Sequence, residues 1–144
     1  MEGGRENKET GEVPVRAMAV EDDPVLRRGY ERFFAPNAQG MGFDRFVVYP
    51  NGMTALDAFK GANPPFNLVI VDGNMPGMSG IELAQLLRGL KPELVIALAS
   101  SHSKDSLPDD QRRLFDLFWT KPFGSEMGTF VSQARTIVSQ RQSL

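Results

Sequence analysis

The sequence contains no cysteine and only one histidine, His102. The absence of cysteine excludes disulfide scaffolds, thiolate nucleophiles and cysteine zinc sites, and a lone histidine is a weak basis for a histidine-based triad, so the chemistry is expected to rest on carboxylates, hydroxyls and lysine. No apolar run approaches the roughly 20 residues that span a bilayer, and the N-terminus is polar where a signal peptide needs an apolar core. A cytoplasmic location without a membrane partner is therefore expected. An excess of one charge is also missing. Sixteen Lys and Arg stand against 18 Asp and Glu, for a net charge of -2 and a pI near 5.4, so direct nucleic-acid binding is not expected. What is present, 144 residues of which 41% are hydrophobic, suits one domain with a core that needs no staples.

Residues 1–14 hold glycine and charge but almost nothing to bury, and read as a flexible polar tail ahead of a folded unit over 15–144. Thereafter short apolar runs alternate with helical patterns. Strands are expected at Val15–Val20, Arg45–Tyr49, Asn67–Val71, Leu94–Ala99 and Leu117–Thr120. Helices are expected at Pro24–Phe34, Met53–Lys60, Gly80–Leu90, more weakly near Asp109–Phe115, and from about Ser125 to Gln140. In the last helix Met127, Phe130, Val131, Ala134, Ile137 and Val138 fall at steps of three and four, on one face. Asp23 before Pro24 is a helix N-cap with proline in the first turn, and Ser79-Gly80-Ile81-Glu82 matches a capping box. A run such as Asn67–Val71, apolar at every residue from Leu68 onward, implies a strand buried on both faces. The expected fold is a single-domain, doubly wound α/β structure, a (βα)5 flavodoxin-like arrangement with a five-stranded parallel sheet.

In an open parallel sheet, ligands gather at the carboxyl ends of the strands, near the point where strand order reverses. The polar residues that end the apolar runs are Glu21, Asp22 and Asp23; Asp72; Ser100 and Ser101; and Thr120 and Lys121. Carboxylates brought together raise one another's pKa unless a cation intervenes, and Mg2+ is the natural one, because it takes oxygen ligands and keeps several waters that a phosphate oxygen can replace. Asp72 would be the nucleophile for a phosphoryl group, with Lys121 and the metal neutralising its oxygens.

The same residues carry a family resemblance. Val71-Asp72-Gly73-Asn74-Met75-Pro76-Gly77-Met78-Ser79-Gly80 resembles the phosphoacceptor strand and turn of response-regulator receiver domains, the CheY-like family of two-component signalling. Val20-Glu21-Asp22-Asp23-Pro24 is similar to that family's acidic pocket, Asn51-Gly52 with Ala55-Leu56 to the start of its second helix, and Lys121-Pro122-Phe123 to its closing lysine-proline turn. The resemblance covers about Val15 to Ser139.

It implies phosphorylation of Asp72 by a histidine kinase or a histidine phosphotransfer protein. It also implies Mg2+ held directly by Asp22 and Asp72, by Glu21 through a bound water, and by the backbone carbonyl of Asn74. Lys121 would pair with the phosphoryl group, and Pro122 would follow a cis peptide bond that aims Lys121 into the site. The family's switch hydroxyl, at the end of the fourth strand, has two candidates. Counting forward from Asp72 lands on Ser100, and counting back from Lys121 lands on Ala99; Ser100 is preferred because it alone has a hydroxyl. The switch aromatic of the fifth strand corresponds to Phe118. Output would pass through the face formed by the last two helices and the fifth strand, to a downstream protein or to a second copy in a phosphorylation-linked homodimer. A stand-alone regulator or an excised receiver is expected, with no enzymatic activity beyond self-catalysed phosphoryl transfer and dephosphorylation.

Blander readings exist for each residue. Asp23 is a cap, Arg112 and Arg113 are a solvated helix face, Trp119 is core, and His102 is a loop histidine without a role. Two other functions compete. A pseudo-receiver keeps the fold and signals without phosphorylation. A magnesium-dependent aspartyl phosphatase of the haloacid dehalogenase type requires D-x-D, where this chain reads Asp72-Gly73-Asn74.

Overall fold

The computed structural model describes residues 13–37, 43–73, 75, 77–101, 106–121 and 126–142. Five strands and five helices alternate among the described residues: β1 (Val15–Val20), α1 (Pro24–Asn37), β2 (Phe43–Tyr49), α2 (Gly52–Gly61), β3 (Leu68–Asp72), α3 (Gly80–Leu90), β4 (Val95–Ser100), α4 (Asp109–Arg112), β5 (Leu117–Thr120) and α5 (Met127–Gln142). All four strand pairings are parallel, and the sheet order is β2-β1-β3-β4-β5. The expected doubly wound α/β fold is therefore observed. Chain order reverses between β1 and β3, and a crevice opens beyond their carboxyl ends.

Alternating side chains divide the core in two. On one face Val15, Ala17, Ala19, Leu68, Ile70, Ala97, Ala99 and Trp119 pack against Tyr30 and Phe34 of α1 and Phe130, Val131, Ala134 and Val138 of α5. On the other face Met18, Val20, Val69, Val71, Ile96 and Leu98 pack against α2 and α3, with Phe115 beside them. Each of these large side chains contributes roughly 1.5–3 kcal/mol on burial, so the two layers together clamp the sheet rigidly.

Local chemistry sets the helix starts. Asn51 Oδ1 accepts the Thr54 N–H at 2.9 Å, Asp23 Oδ1 accepts the Val25 N–H at 2.8 Å, and the Ser79–Glu82 capping box is formed in both directions. Strand β2 begins two residues before the expected Arg45, because Phe43 stacks on Phe34 at 5.5 Å and is fully buried. Helix α4 is shorter than expected. It stops at Arg112, and a turn through Arg113 and Leu114 delivers Phe115 into the core. Of the expected tail, residues 1–12 lie outside the described residues, whereas Val13 is buried and its N–H donates to Ser139 Oγ at 3.1 Å.

Candidate functional site

The carboxyl ends of β1, β3 and β4, with the residue that follows β5, line an open cleft of about 230 Å3 formed by Glu21, Asp22, Asp23, Leu26, Asp72, Ser100, Ser101 and Lys121. Their convergence follows from the parallel register. Val20 lies opposite Val71, Asp72 opposite Ala99, and Ser100 opposite Thr120, so the residues just past these pairs share one edge.

Lys121 Nζ donates to Asp72 Oδ1 at 2.9 Å and to Glu21 Oε1 at 3.0 Å. Glu21 is 1% exposed and Asp72 is 5% exposed, so both ion pairs lie away from bulk screening. The second oxygen of Glu21 accepts the Asp23 N–H at 3.3 Å. Carboxylate oxygens of Glu21, Asp22 and Asp72 all lie within 4.8 Å of one another.

The electrostatics follow from this crowding. Burial raises the Glu21 carboxyl to about 7, helped by the charge of Asp72 and opposed by Lys121. Asp22 is raised by burial and then by Asp72. For Lys121, burial alone would lower the pKa, but the hydrogen bonds and charges of Asp72 and Glu21 outweigh it, and the ammonium is held protonated. Tyr30, buried beneath the cleft, is raised by burial and by the same two carboxylates.

Three hard oxygen donors that disfavour one another's ionised form, set around an open cleft, match what a divalent cation needs: it relieves the repulsion and leaves room for water. The donor set fits Mg2+ through Glu21, Asp22 and Asp72.

Successive side chains of β4 point to opposite faces. Ala99 is fully buried against Trp119 and α5, while Ser100 lines the cleft. The Ser100 hydroxyl lies 3.4 Å from where a Cβ on Gly73 would stand. Phe118 packs on the same face as Ser100, with its ring edge-on to Phe115 at 5.9 Å. Asn74, His102 and Pro122 lie outside the described residues.

Ser101, which ends the fourth apolar run beside Ser100, lines the cleft as its position implies. Sequence reasoning missed two contributors: Leu26 lines the cleft, and Arg27 reaches back to the carbonyls of Glu21 and Asp22. Leu26 offered no signal. Arg27 offered only its place one turn into α1, where a guanidinium can fold back over the helix start.

Fold and cleft together define a doubly wound α/β domain with an acidic site at its topological switch point. Residues 17–126 match the family model of the response regulator receiver domain, and the chain belongs to that family. It is 31% identical over 126 residues to the two-component response regulator ORR41 of Oryza sativa, covering 84% of this chain and 94% of that protein. It is 29% identical over 100 residues to the nitrate/nitrite response regulator protein NarL of Escherichia coli, covering 67% of this chain but only 43% of that protein. Among solved structures, the response regulator TrrA of Thermotoga maritima, in complex with Mg(2+)-BeF, superposes with a TM-score of 0.69 at 27% identity, covering 83% of this chain and 98% of that one. Among the described residues no helix is long and apolar enough to cross a membrane.

Proposed function

We propose that the chain accepts a phosphoryl group on Asp72 from the phosphohistidine of a histidine kinase or phosphotransfer protein, in a magnesium-dependent reaction, and thereby switches its protein contacts. One observation carries this reading. Asp72, at the end of β3, faces an open cleft with a protonated amine 2.9 Å away and two further carboxylates close by. A carboxylate oxygen of Asp72 attacks phosphorus as the bond from phosphorus to the donor nitrogen breaks, leaving an acyl phosphate. Lys121, held charged by its two acidic partners, supplies a fixed positive pole beside the transferred group. Glu21 and Asp22, with Asp72, would hold the divalent cation. When bound, that ion neutralises charge developing on the phosphoryl oxygens.

The new group brings a charge of about -2 into a cleft lined by Ser100. Ser100 and Phe118 share one sheet face, which supports a relay from the cleft toward α4, β5 and α5 and on to a downstream protein or a second copy. The clustered carboxylates support this reading over a pseudo-receiver, for which three mutually repelling acids have no use.

The test is intact mass after incubation with acetyl phosphate and Mg2+. The wild type should gain a single phosphoryl group that requires Mg2+, and Asp72→Asn should gain none. A folded wild type that gains nothing, from acetyl phosphate or from a phosphorylated histidine phosphotransfer protein, would favour the pseudo-receiver.

A further inference from the structure

Arg27 stands one turn into α1, half-buried, and its guanidinium turns back toward the end of β1. A single nitrogen, Nη1, donates to the carbonyl oxygens of both Glu21, at 3.1 Å, and Asp22, at 2.7 Å. These carbonyls fall in the turn between two ladders. On one side the Glu21 N–H donates to Tyr49 O; on the other the Arg27 N–H donates to Asp23 O, which opens the helix. The Leu26 N–H goes to the capping oxygen of Asp23 at 3.4 Å. Asp23 therefore caps the helix while Arg27 ties down the two residues before it.

Those two residues carry two of the three clustered carboxylates. A side chain leaves the backbone in a direction set by the peptide planes on either side of it. Fixing both carbonyls to a helix consequently fixes the directions in which the Glu21 and Asp22 side chains leave the backbone toward the cleft. We propose that Arg27 is a positioning residue for the divalent-cation site, acting through the carbonyls of Glu21 and Asp22 to hold their carboxylates toward Asp72. The proposal rests on the cation reading given above.

Charge alone predicts the opposite effect. A guanidinium near the cleft repels an incoming cation, so its removal would tighten cation binding if charge were its only contribution. Groups that orient metal ligands typically change affinity by about ten- to a hundred-fold when removed. Lysine keeps the charge, and its ammonium can donate to both carbonyls as Nη1 does, but its flexible four-carbon stem is not pre-organised to hold that position.

The experiment is calorimetric titration of Mg2+ into the wild type, Arg27→Ala, Arg27→Lys and Asp22→Asn, with thermal unfolding of each recorded in EDTA. Positioning predicts that Arg27→Ala binds Mg2+ about ten-fold or more weakly and Arg27→Lys less weakly. An Arg27→Ala protein that binds as tightly as the wild type, or more tightly, overturns the proposal and leaves the cation reading standing. If Arg27→Ala does not fold, Arg27→Lys carries the comparison with the same two outcomes. Equal affinity in the wild type and Asp22→Asn would instead sink the cation reading, and the role of Arg27 with it.

Discussion

The Glu21 carboxyl is lifted from an ordinary 4.5 to about 7, first by burial. In metal-free protein the sign follows directly. Between about pH 4.5 and about 7 the folded chain holds a proton that the unfolded chain has released. Stability therefore falls as pH rises through that window, by at most about 1.4 kcal/mol per pH unit from this group. Below the window both states are protonated, and above it both are ionised. Denaturant unfolding in EDTA should show the wild type losing stability from about pH 5 to about pH 7.5 relative to Glu21→Gln; parallel pH profiles for the two proteins would contradict the assignment. Protons and cation compete for the same oxygens, so Mg2+ affinity should decline as pH is lowered through about 7. The identities of Glu21, Asp22, Asp72 and Lys121 were legible in the sequence because each ends an apolar run. The environment that shifts Glu21 was not, since its burial and the Lys121 contact join residues 100 positions apart.

At the scale of elements, the junction of β3 and α3 decides whether Asp72 is correctly placed. A Cβ on Gly80 would collide with the Asp72 carbonyl oxygen and stand 3.3 Å from Gly73 Cα, backbone atoms that cannot swing aside. The first turn of α3 therefore rests directly on the end of β3. Gly77 adds a left-handed turn, with φ 76°, that a larger residue adopts only with strain. Gly80→Ala should cost about 1–3 kcal/mol in denaturant unfolding and slow phosphoryl gain, because relief of the clash must move Asp72 or α3. Ser79→Ala, one residue earlier, removes the capping box for about 1 kcal/mol and should leave phosphoryl gain intact. Equal effects of the two changes on phosphoryl gain would show that helix stability, not the close approach, is what matters. The capping box could be read from four consecutive residues, and it is observed. The requirement for glycine at position 80 could not be read physically, because it depends on a backbone eight residues away in the chain. Helix α4 was the least legible element, since its end is set by Phe115 seeking the core and not by its own periodicity.

Across the whole molecule, the two core layers differ in how they are held. Ala99 and Trp119 lock the face beneath α1 and α5, with Trp119 stacked on Phe130 at 3.8 Å. At the opposite end of the sheet from the cleft, Asp116 accepts from Arg88 at 3.1 Å and from the Ile96 N–H at 2.9 Å, and it also accepts from Arg141, tying α3, β4 and α5 together. None of this network was legible, because its members are a lone aspartate and two arginines on separate helices. Ser100 and Phe118 lie on the other face, where α4 is short and buries no residue of its own. Phosphorylation of the wild type should therefore change hydrogen exchange over Leu117–Thr120 and Asp109–Arg112. Ser100→Ala should still take up phosphate while losing that change; a Ser100→Ala protein with the same response would remove Ser100 from the relay. The central claim, that Asp72 is the residue modified, is tested most directly by locating the phosphoryl group. Borohydride reduction of the acetyl phosphate-treated protein, followed by peptide sequencing in the mass spectrometer, should convert Asp72 alone to homoserine. Reduction at another carboxylate, or phosphate retained on Ser100 or Ser101, would contradict it.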